Sequence, residues 1–323
     1  MFTRHNLITY AVALVIILIL NFFLPRLMPG DPLMAIFGDE ALVQMSPQLQ
    51  QDLTERFALD QSLGGQFVSY WAALFHGDLG YSYYYNAPVA EVIFGRLHWT
   101  LLLGGLALII STVLGIVLGI ESGWRRGGRA DGGMLTGMVT LSGFPDFWLG
   151  ILLLLLFGVS LQLLPLYGAE EAYSGLSGLD RFIDIIEHLA LPLITLILAR
   201  LTAGYLLTRN AMVGVLKEPY MLLARAKGLP SRTIKYRHAG RNSMLPVVTR
   251  TGIWIGRMVT GVLFVEIVFS YPGIGYLTYE ALTYRDYPVL QGILLVTAVF
   301  VLGANFIIDL LYPKIDPRVS YAR

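Results

Sequence analysis

Between Arg96 and Glu121 the chain reads Leu97-His-Trp-Thr-Leu-Leu-Leu-Gly-Gly-Leu-Ala-Leu-Ile-Ile-Ser-Thr-Val-Leu-Gly-Ile-Val-Leu-Gly-Ile120, with no Asp, Glu, Lys or Arg inside it. A helix that crosses the hydrocarbon of a bilayer needs roughly 20 mostly apolar residues. Five more stretches have this character: Leu7–Leu27, Met134–Leu161, His188–Leu207, Val247–Phe269 and Val289–Tyr312. The sequence therefore predicts an all-α integral membrane protein with six transmembrane helices. Composition agrees, since the 323 residues are 55% hydrophobic and 14% charged, against roughly 25% charged in a soluble domain. The first stretch is read as an uncleaved span, because Leu24-Pro25-Arg26 stands where a signal peptide carries small residues.

Lysine and arginine set the orientation. One set of loops carries Arg4, then Arg125, Arg126 and Arg129, the basic run from Arg209 to Arg250, and Lys314, Arg318 and Arg323. The other carries Arg26, Arg56, Arg96, Arg181 and Arg285 beside Asp31, Asp52, Asp60, Asp78, Glu170, Glu171 and Asp180. Both termini are expected in the cytoplasm, which suits an even number of spans. The organisation is then a first helix at 1–28, an extracytoplasmic loop at 29–96, a transmembrane body at 97–312 holding a cytoplasmic loop at 212–246, and a cytoplasmic tail at 313–323. The outer loop, with Trp71 and Tyr83-Tyr84-Tyr85, is too apolar for a linker and is expected to pack on the outer surface.

Chemical motifs are few. There is no cysteine, and the histidines (His5, His76, His98, His188, His238) have no ligand spacing, so no metal site is expected. No G-x-x-x-x-G-K-[ST] sequence offers a phosphate cradle, and no G-x-S-x-G elbow occurs, so the chain is not expected to be an enzyme or to hydrolyse ATP itself. Ser62-Leu-Gly-Gly-Gln66 is read as a loop turn. Gly115/Gly119 and Gly252/Gly256 each place two glycines on one helix face, a pattern for close helix packing. Four charges fall inside spans: Asp146, Arg200, Arg257 and Glu266. A charge at the bilayer centre costs about 2.5–3.5 kcal/mol, so these are expected to line a translocation pathway or gate. Asp146 and Arg200 sit near the middle of oppositely running spans, and on one straight helix Arg257 and Glu266 would stand about 14 Å apart.

The most informative segment is Glu218-Pro-Tyr-Met-Leu-Leu-Ala-Arg-Ala-Lys-Gly-Leu-Pro-Ser231. Pro219 suits a first helical turn, and Gly228 suits the left-handed position that ends one. Arg225 and Lys227 complement the negative end of the dipole. Ser231 is placed to cap a second helix toward Met244, with Pro246 opening the fifth span. A short helix bounded at both ends is thus held in the cytoplasm between two spans, in a form that can dock into another protein.

Tyr220–Pro246, with Ala224-Arg-Ala-Lys-Gly228 and Arg237-His-Ala-Gly-Arg-Asn-Ser-Met-Leu-Pro246, resembles the coupling loop of type I ABC importer permeases. Pro29-Gly-Asp-Pro32, Gly77-Asp-Leu-Gly80, Pro145-Asp-Phe-Trp148, Glu266–Gly275, Arg285-Asp-Tyr-Pro288 and Asp316-Pro-Arg318 extend the likeness over nearly the whole chain. They narrow it to the dipeptide/oligopeptide/nickel branch, and to the first of its two paired permeases. The resemblance implies the type I ABC importer transmembrane fold in a cell membrane, with alternating access driven by ATP. Its partners would be a homologous second permease, two ATPase subunits carrying ATP and Mg, and an extracytoplasmic substrate-binding protein. It implies no cofactor in this chain. The cargo implied is short peptides, with nickel chelates, other metal complexes or glycosides as alternatives. An ion-coupled secondary transporter is the rival of another class. Tyr220, Ala224, Arg225, Ala226, Lys227 and Gly228 would form the ATPase-coupling loop. Tyr271, Pro272, Gly273 and Gly275 would form an outer scoop near the binding protein. The family's leading Glu-Ala-Ala is Leu222-Leu223-Ala224 here, so no glutamate contact carries over, and Asp146 stands where a small or apolar residue is usual.

Overall fold

The computed structural model describes residues 4–26, 43–56, 62–82, 84–172 and 174–315. Pro29-Gly-Asp-Pro32 and Asp316-Pro-Arg318 lie outside the described residues. The helices, in chain order, are α1 (Arg4–Arg26), α2 (Pro47–Arg56), α3 (Leu63–Phe75), α4 (Val89–Trp124), α5 (Arg129–Leu141), α6 (Asp146–Leu153) and α7 (Gly178–Val215). There follow α8 (Pro219–Ala226), α9 (Ser231–Thr233), α10 (Arg241–Ser243), α11 (Leu245–Gly256), α12 (Leu263–Val268), α13 (Ile274–Thr283) and α14 (Tyr287–Ile315). Wide π-helical turns at Leu154–Ser160 and Ile234–Gly240 continue α6 and join α9 to α10. One short hairpin, β1 (Tyr81–Ser82) with β2 (Ala87–Pro88), pairs Tyr81 with Pro88 and Ser82 with Ala87.

Three helices are long and apolar enough to cross a membrane unbroken: α4, α7 and Tyr287–Leu310 of α14. The third and fifth expected spans are each two helices. Arg129–Leu141 and Asp146–Ser160 meet at 99°, and Ser231–Gly256 and Thr260–Val268 meet at 91°. Counting each bent pair as one span gives five among the described residues, and α1 adds the shorter apolar helix Ile8–Phe23. Breaks at Ser142–Pro145 and Arg257–Val259 were not expected from the continuous apolar pattern.

Two compact units make up the chain, one from Leu101–Tyr271 and the end of α14, the other from Phe2–Thr100 and Pro272–Gly303. In the first, α4 lies against α7 along a glycine edge. A Cβ on Gly115 would sit 3.0 Å from Tyr205 N, on Gly119 2.5 Å from Thr208 Cβ, and on Gly123 2.7 Å from Met212 Cβ. The numbers rise together, so α4 and α7 run parallel. The glycines serve contact within the chain, the plain packing reading of Gly115/Gly119. Gly252 and Gly256 likewise meet Ile308 and Asn305 of α14, in antiparallel order.

Contacts between α7 and the first bent pair run the other way. Arg209 holds Asp131, Thr202 donates to Met138 O at 3.2 Å, and Gly150 lies beside Thr195. From Arg209 to Thr195 is about 21 Å of helix rise, so the bent pair descends most of a span despite its break. The second bent pair opposes α4 in the same way, with Gly240 near Ile120 and Met258 near Gly104. Successive spans along the chain therefore alternate in direction, while α4 and α7, separated by the first bent pair, pack in parallel.

In the second unit, Phe22 of α1 packs edge-on to Phe67 of α3 with centroids 5.0 Å apart, and Asn21 donates to Tyr70 Oη at 3.3 Å. Asn21 and Gln291 exchange side-chain-to-backbone bonds at 3.2 and 2.8 Å. Ser62 does not mark a loop turn: its hydroxyl accepts from Gly65 N at 3.3 Å and caps α3. Gly77-Asp-Leu-Gly80 is a turn in which both glycines hold positive φ, 75° and 95°, and Asp78 accepts from Gly80 N at 2.9 Å. Asp286 caps α14 by accepting from Val289 N at 3.2 Å, and takes the Ser82 hydroxyl at 2.5 Å.

Candidate functional site

The segment 218–231 folds as its residues dictate. Pro219 opens α8, where its missing N–H has no helical partner to lose. Gly228 holds φ +68, the left-handed conformation that stops the helix. Arg225 lies in the last turn and Lys227 follows as the closing residue. Pro230, not Ser231, precedes the next helix, and Ser231 makes no side-chain cap. Proline fixes an extended entry there, which leaves Ser231 already inside the helix.

One face of α8 is spent inside the chain. Met221 and Ala224 are buried with Ile120 of α4, Met212 of α7, Ile234 and Ala239. Asn242 donates to Tyr220 Oη at 2.9 Å, tying the start of α8 to the same loop. The other face is open: Leu222 and Leu223 are 73% and 56% exposed, and Arg225, Ala226, Lys227 and Gly228 are exposed beside them. Of the residues expected to dock, Ala224 points into the bed beneath the helix, so a large side chain there acts by lifting α8.

Of the charges expected at mid-depth, Asp146 and Arg257 stand at the helix breaks, Arg200 lies within α7, and Glu266 lies within α12. Asp146 is the first residue of α6, at the bend, not the middle of a continuous helix. Arg200 of α7 donates to Gly261 O, 3.1 Å away in the helical turn just past the second break. Asp146 acts on Arg200 through space, yet the two form no ion pair within 4.0 Å. Arg257 is exposed at the end of α11, in that break. Glu266 is wholly buried in α12. The intervening bend removes the straight helix on which Arg257 and Glu266 would stand about 14 Å apart. Phe144 stacks on Trp148 at 4.7 Å beside the first break, and Phe147 approaches Phe264 at 6.2 Å.

In the expected outer segment, Ser270 holds φ +46 and Gly273 precedes α13 with extended backbone. Ile274 N donates to Thr100 Oγ1 at 2.7 Å. Tyr271, Gly273 and Gly275 are buried, so these residues shape the turn from within; Pro272 is half-buried. The open side of α13 is carried by Tyr279 and Leu282, followed by Tyr284, stacked on Tyr84 at 4.0 Å. Tyr85 donates to Glu280 at 2.9 Å, and Arg96 lies 3.9 Å from the same carboxylate. Hydrogen bonding to Tyr284 and burial push the Tyr84 phenol up to about 12, and burial with the Glu280 bond raises Tyr85 further.

Sequence reasoning missed a polar cluster at the Arg209 end of α7. Arg209 clamps Asp131 with two bonds of 2.7 and 2.8 Å, and Ser122 and Gly127 N donate to the same carboxylate at 2.6 and 2.9 Å. Nearby, Glu121 accepts from Lys235 Nζ and Tyr236 Oη. No motif signals these partners, because they are brought together by helices distant in sequence. Among the described residues no cluster of three His, Cys, Asp or Glu suits a metal.

Alternating apolar helices, charges held at helix breaks and a braced helix with an open face define a multi-pass membrane transport subunit. Residues 111–321 match the family described as "Binding-protein-dependent transport system inner membrane component", and the chain belongs to that family, in the dipeptide/oligopeptide branch of type I ABC importer permeases. It is 34% identical to the dipeptide transport system permease protein DppB of Escherichia coli (strain K12), over 95% of each chain. It is 34% identical to the di/tripeptide transport system permease protein DppB of Pseudomonas aeruginosa (strain UCBPP-PA14), over 94% of each. With the glutathione transport system permease protein GsiC of Salmonella choleraesuis (strain SC-B67) identity is 37%, over 95% of each.

Proposed function

We propose that this chain carries short peptides inward across a cell membrane, as one of two paired permeases driven by separate ATPases. The observation that supports the coupling reading best is α8: a helix fixed at both ends, bedded on α4 and α7, and presenting Leu222 and Leu223 outward. Two ATPase subunits, holding ATP and Mg, would receive that face and close on ATP. The closure would rock the permease pair between inward- and outward-facing states, a bistable rigid-body change. Both termini and α8 are assigned to the cytoplasm by the loop charges, and an extracytoplasmic binding protein would deliver the cargo. Asp146 and Arg257, at the helix breaks, and Arg200, whose side chain bonds Gly261 O just past the second break, are assigned to the path, because broken backbone at membrane depth is tolerated where it lines a cavity or is covered by protein. Buried Glu266 is assigned to holding the gate in place. The peptide cargo is supported by relatives named for dipeptides, di/tripeptides and glutathione, itself a tripeptide.

The test is reconstitution of the chain with its paired permease, ATPases and binding protein in liposomes. Labelled dipeptide should accumulate only with ATP and binding protein together. Accumulation driven by an ion gradient without ATP would sink the importer reading. Accumulation of a nickel chelate or a glycoside, with peptides excluded, would sink the cargo reading.

A further inference from the structure

We propose that the last turn of α4 is the joint through which the docking segment moves the membrane helices, with Glu121 and Asp131 as positioning residues. The proposal rests on the reading of α8 as the ATPase-docking helix. Successive residues on a helix project about 100° apart, so Glu121 and Ser122 face different neighbours. Glu121 faces the docking loop, where Lys235 and Tyr236 both donate to it from the π-helical segment beyond α8. Lys235 Nζ also lies 4.8 Å from the Tyr236 ring centre, which holds the pair together.

Ser122 faces inward. Its hydroxyl donates to Asp131 at 2.6 Å and so must accept from Tyr205 Oη, also at 2.6 Å. Asp131 thus receives Ser122, Gly127 N and both arms of Arg209, and its side chain is only 4% exposed. With its lone pairs taken and a bidentate partner fixed in plane, this carboxylate is a rigid splice. It joins the end of α4, the start of α5 and α7 into one body, continued toward the other end of the spans by the glycine contact of α4 with α7. The Glu121 link differs. Its side chain is 23% exposed and its partner is a long flexible lysine, so it is suited to stay attached while the docking loop shifts.

The apolar bed of Met221 and Ala224 transmits a push toward the membrane. Dispersion contact fades within about an ångström of separation, so a pull needs a bond of longer reach. The Lys235–Glu121 ion pair supplies it, and the Asp131 splice passes the displacement to α5 and α7. The broken third span begins at α5, so the Asp146 bend lies directly downstream.

The experiment uses the complete transporter in liposomes and reads ATPase co-purification, ATP hydrolysis and peptide uptake together. Glu121→Gln, Lys235→Met and Asp131→Asn are expected to retain the ATPases and hydrolyse ATP within about twofold of the parent, while uptake per ATP falls about tenfold. Exchanging the pair, Glu121→Lys with Lys235→Glu, should recover most of the uptake, which a general loss of stability would not allow. Uptake per ATP unchanged in all three single variants overturns the proposal, as does a parallel fall in hydrolysis and uptake. If Asp131→Asn fails to assemble, the partly exposed Glu121 decides alone. Leu222→Asp with Leu223→Asp tests the parent reading separately: ATPases that stay bound to that variant remove the docking role itself, whatever Glu121 does.

Discussion

Gly228 and Gly119 show two different reasons for the same residue. Around Gly228 a Cβ would meet nothing within 4 Å, so only the positive φ resists substitution, at about 1–2 kcal/mol. Gly228→Val is therefore expected to insert and assemble normally while uptake falls with ATP hydrolysis retained; unchanged uptake at normal expression would remove the docking role. Gly119→Leu is expected to fail earlier, in the yield of folded protein, because its Cβ would meet Thr208 Cβ at 2.5 Å and Tyr205 O at 2.8 Å. Gly228 was legible because proline and glycine bracket a short helix-prone run. Ser62 was not, since Gly64 and Gly65 suggest a turn and conceal the helix that packs Phe67 and Tyr70 on Phe22. The outer tyrosines add a pH dependence. Their phenols are raised above the usual value near 10, so the folded state keeps protons that the unfolded chain releases. Stability from this source is full below about pH 10 and is lost as pH rises toward the folded value, about 12 for Tyr84. The phenolate absorbance lost on replacing Tyr84 or Tyr85 with Phe should belong to the range above pH 10, with Glu280→Gln lowering the Tyr85 share. Ionisation of Tyr84 and Tyr85 at the ordinary phenol value near pH 10 would contradict the hairpin geometry.

At the level of elements, the spans were legible and their breaks were not. Hydropathy averages over a window, and Leu141-Ser-Gly-Phe-Pro-Asp146 stays apolar enough to pass as continuous helix although Pro145 and the Ser142-Gly143 pair interrupt it. The second break carries a weaker signal, Gly256 before Arg257. The breaks change what Asp146 and Arg200 can be. Asp146 sits in the first turn of α6, where a carboxylate is favoured by about 0.3–1 kcal/mol and a cation disfavoured. Arg200 gives its hydrogen bond to Gly261 O, a carbonyl that an aspartate cannot satisfy. Asp146→Arg combined with Arg200→Asp is therefore expected to assemble poorly or transport poorly, and Arg200→Lys, which keeps a donor, to retain part of the uptake. Full recovery by the exchanged pair would instead establish a simple interchangeable ion pair between the two helices.

Across the whole molecule, orientation was read from loop charge and direction can now be read from contacts, two independent lines. Parallel α4 and α7 must each start on the same face of the membrane. The chain between them has to return once, which the antiparallel series Asp131–Arg209, Met138–Thr202 and Gly150–Thr195 accomplishes through the first bent pair. The same logic returns the chain after α7 through α11 and α12, which oppose α4, and α11 in turn opposes α14. Loop charge then says which face is which: the Arg125–Arg129 turn and the α8 region belong together, and the structure does bring Glu121 to Lys235 and Ile120 to Met221. What the sequence could not supply was this tertiary joining, since it depends on residues 78 and 114 positions apart. The absence of cysteine makes the orientation directly measurable. Single cysteines replacing Ser62 and Ser177 should react with a membrane-impermeant thiol reagent applied outside intact cells, and one replacing Ser231 should react only after the membrane is opened. Ser177 precedes α7 and Ser231 follows it, so this pair reads the direction of a single unbroken span. Labelling of Ser231 from outside with Ser177 protected would invert every helix tied to α7 and place α8 where no ATPase can reach it. Labelling of both from outside would mean that α7 does not cross at all, despite a hydropathy and length that suit a full span.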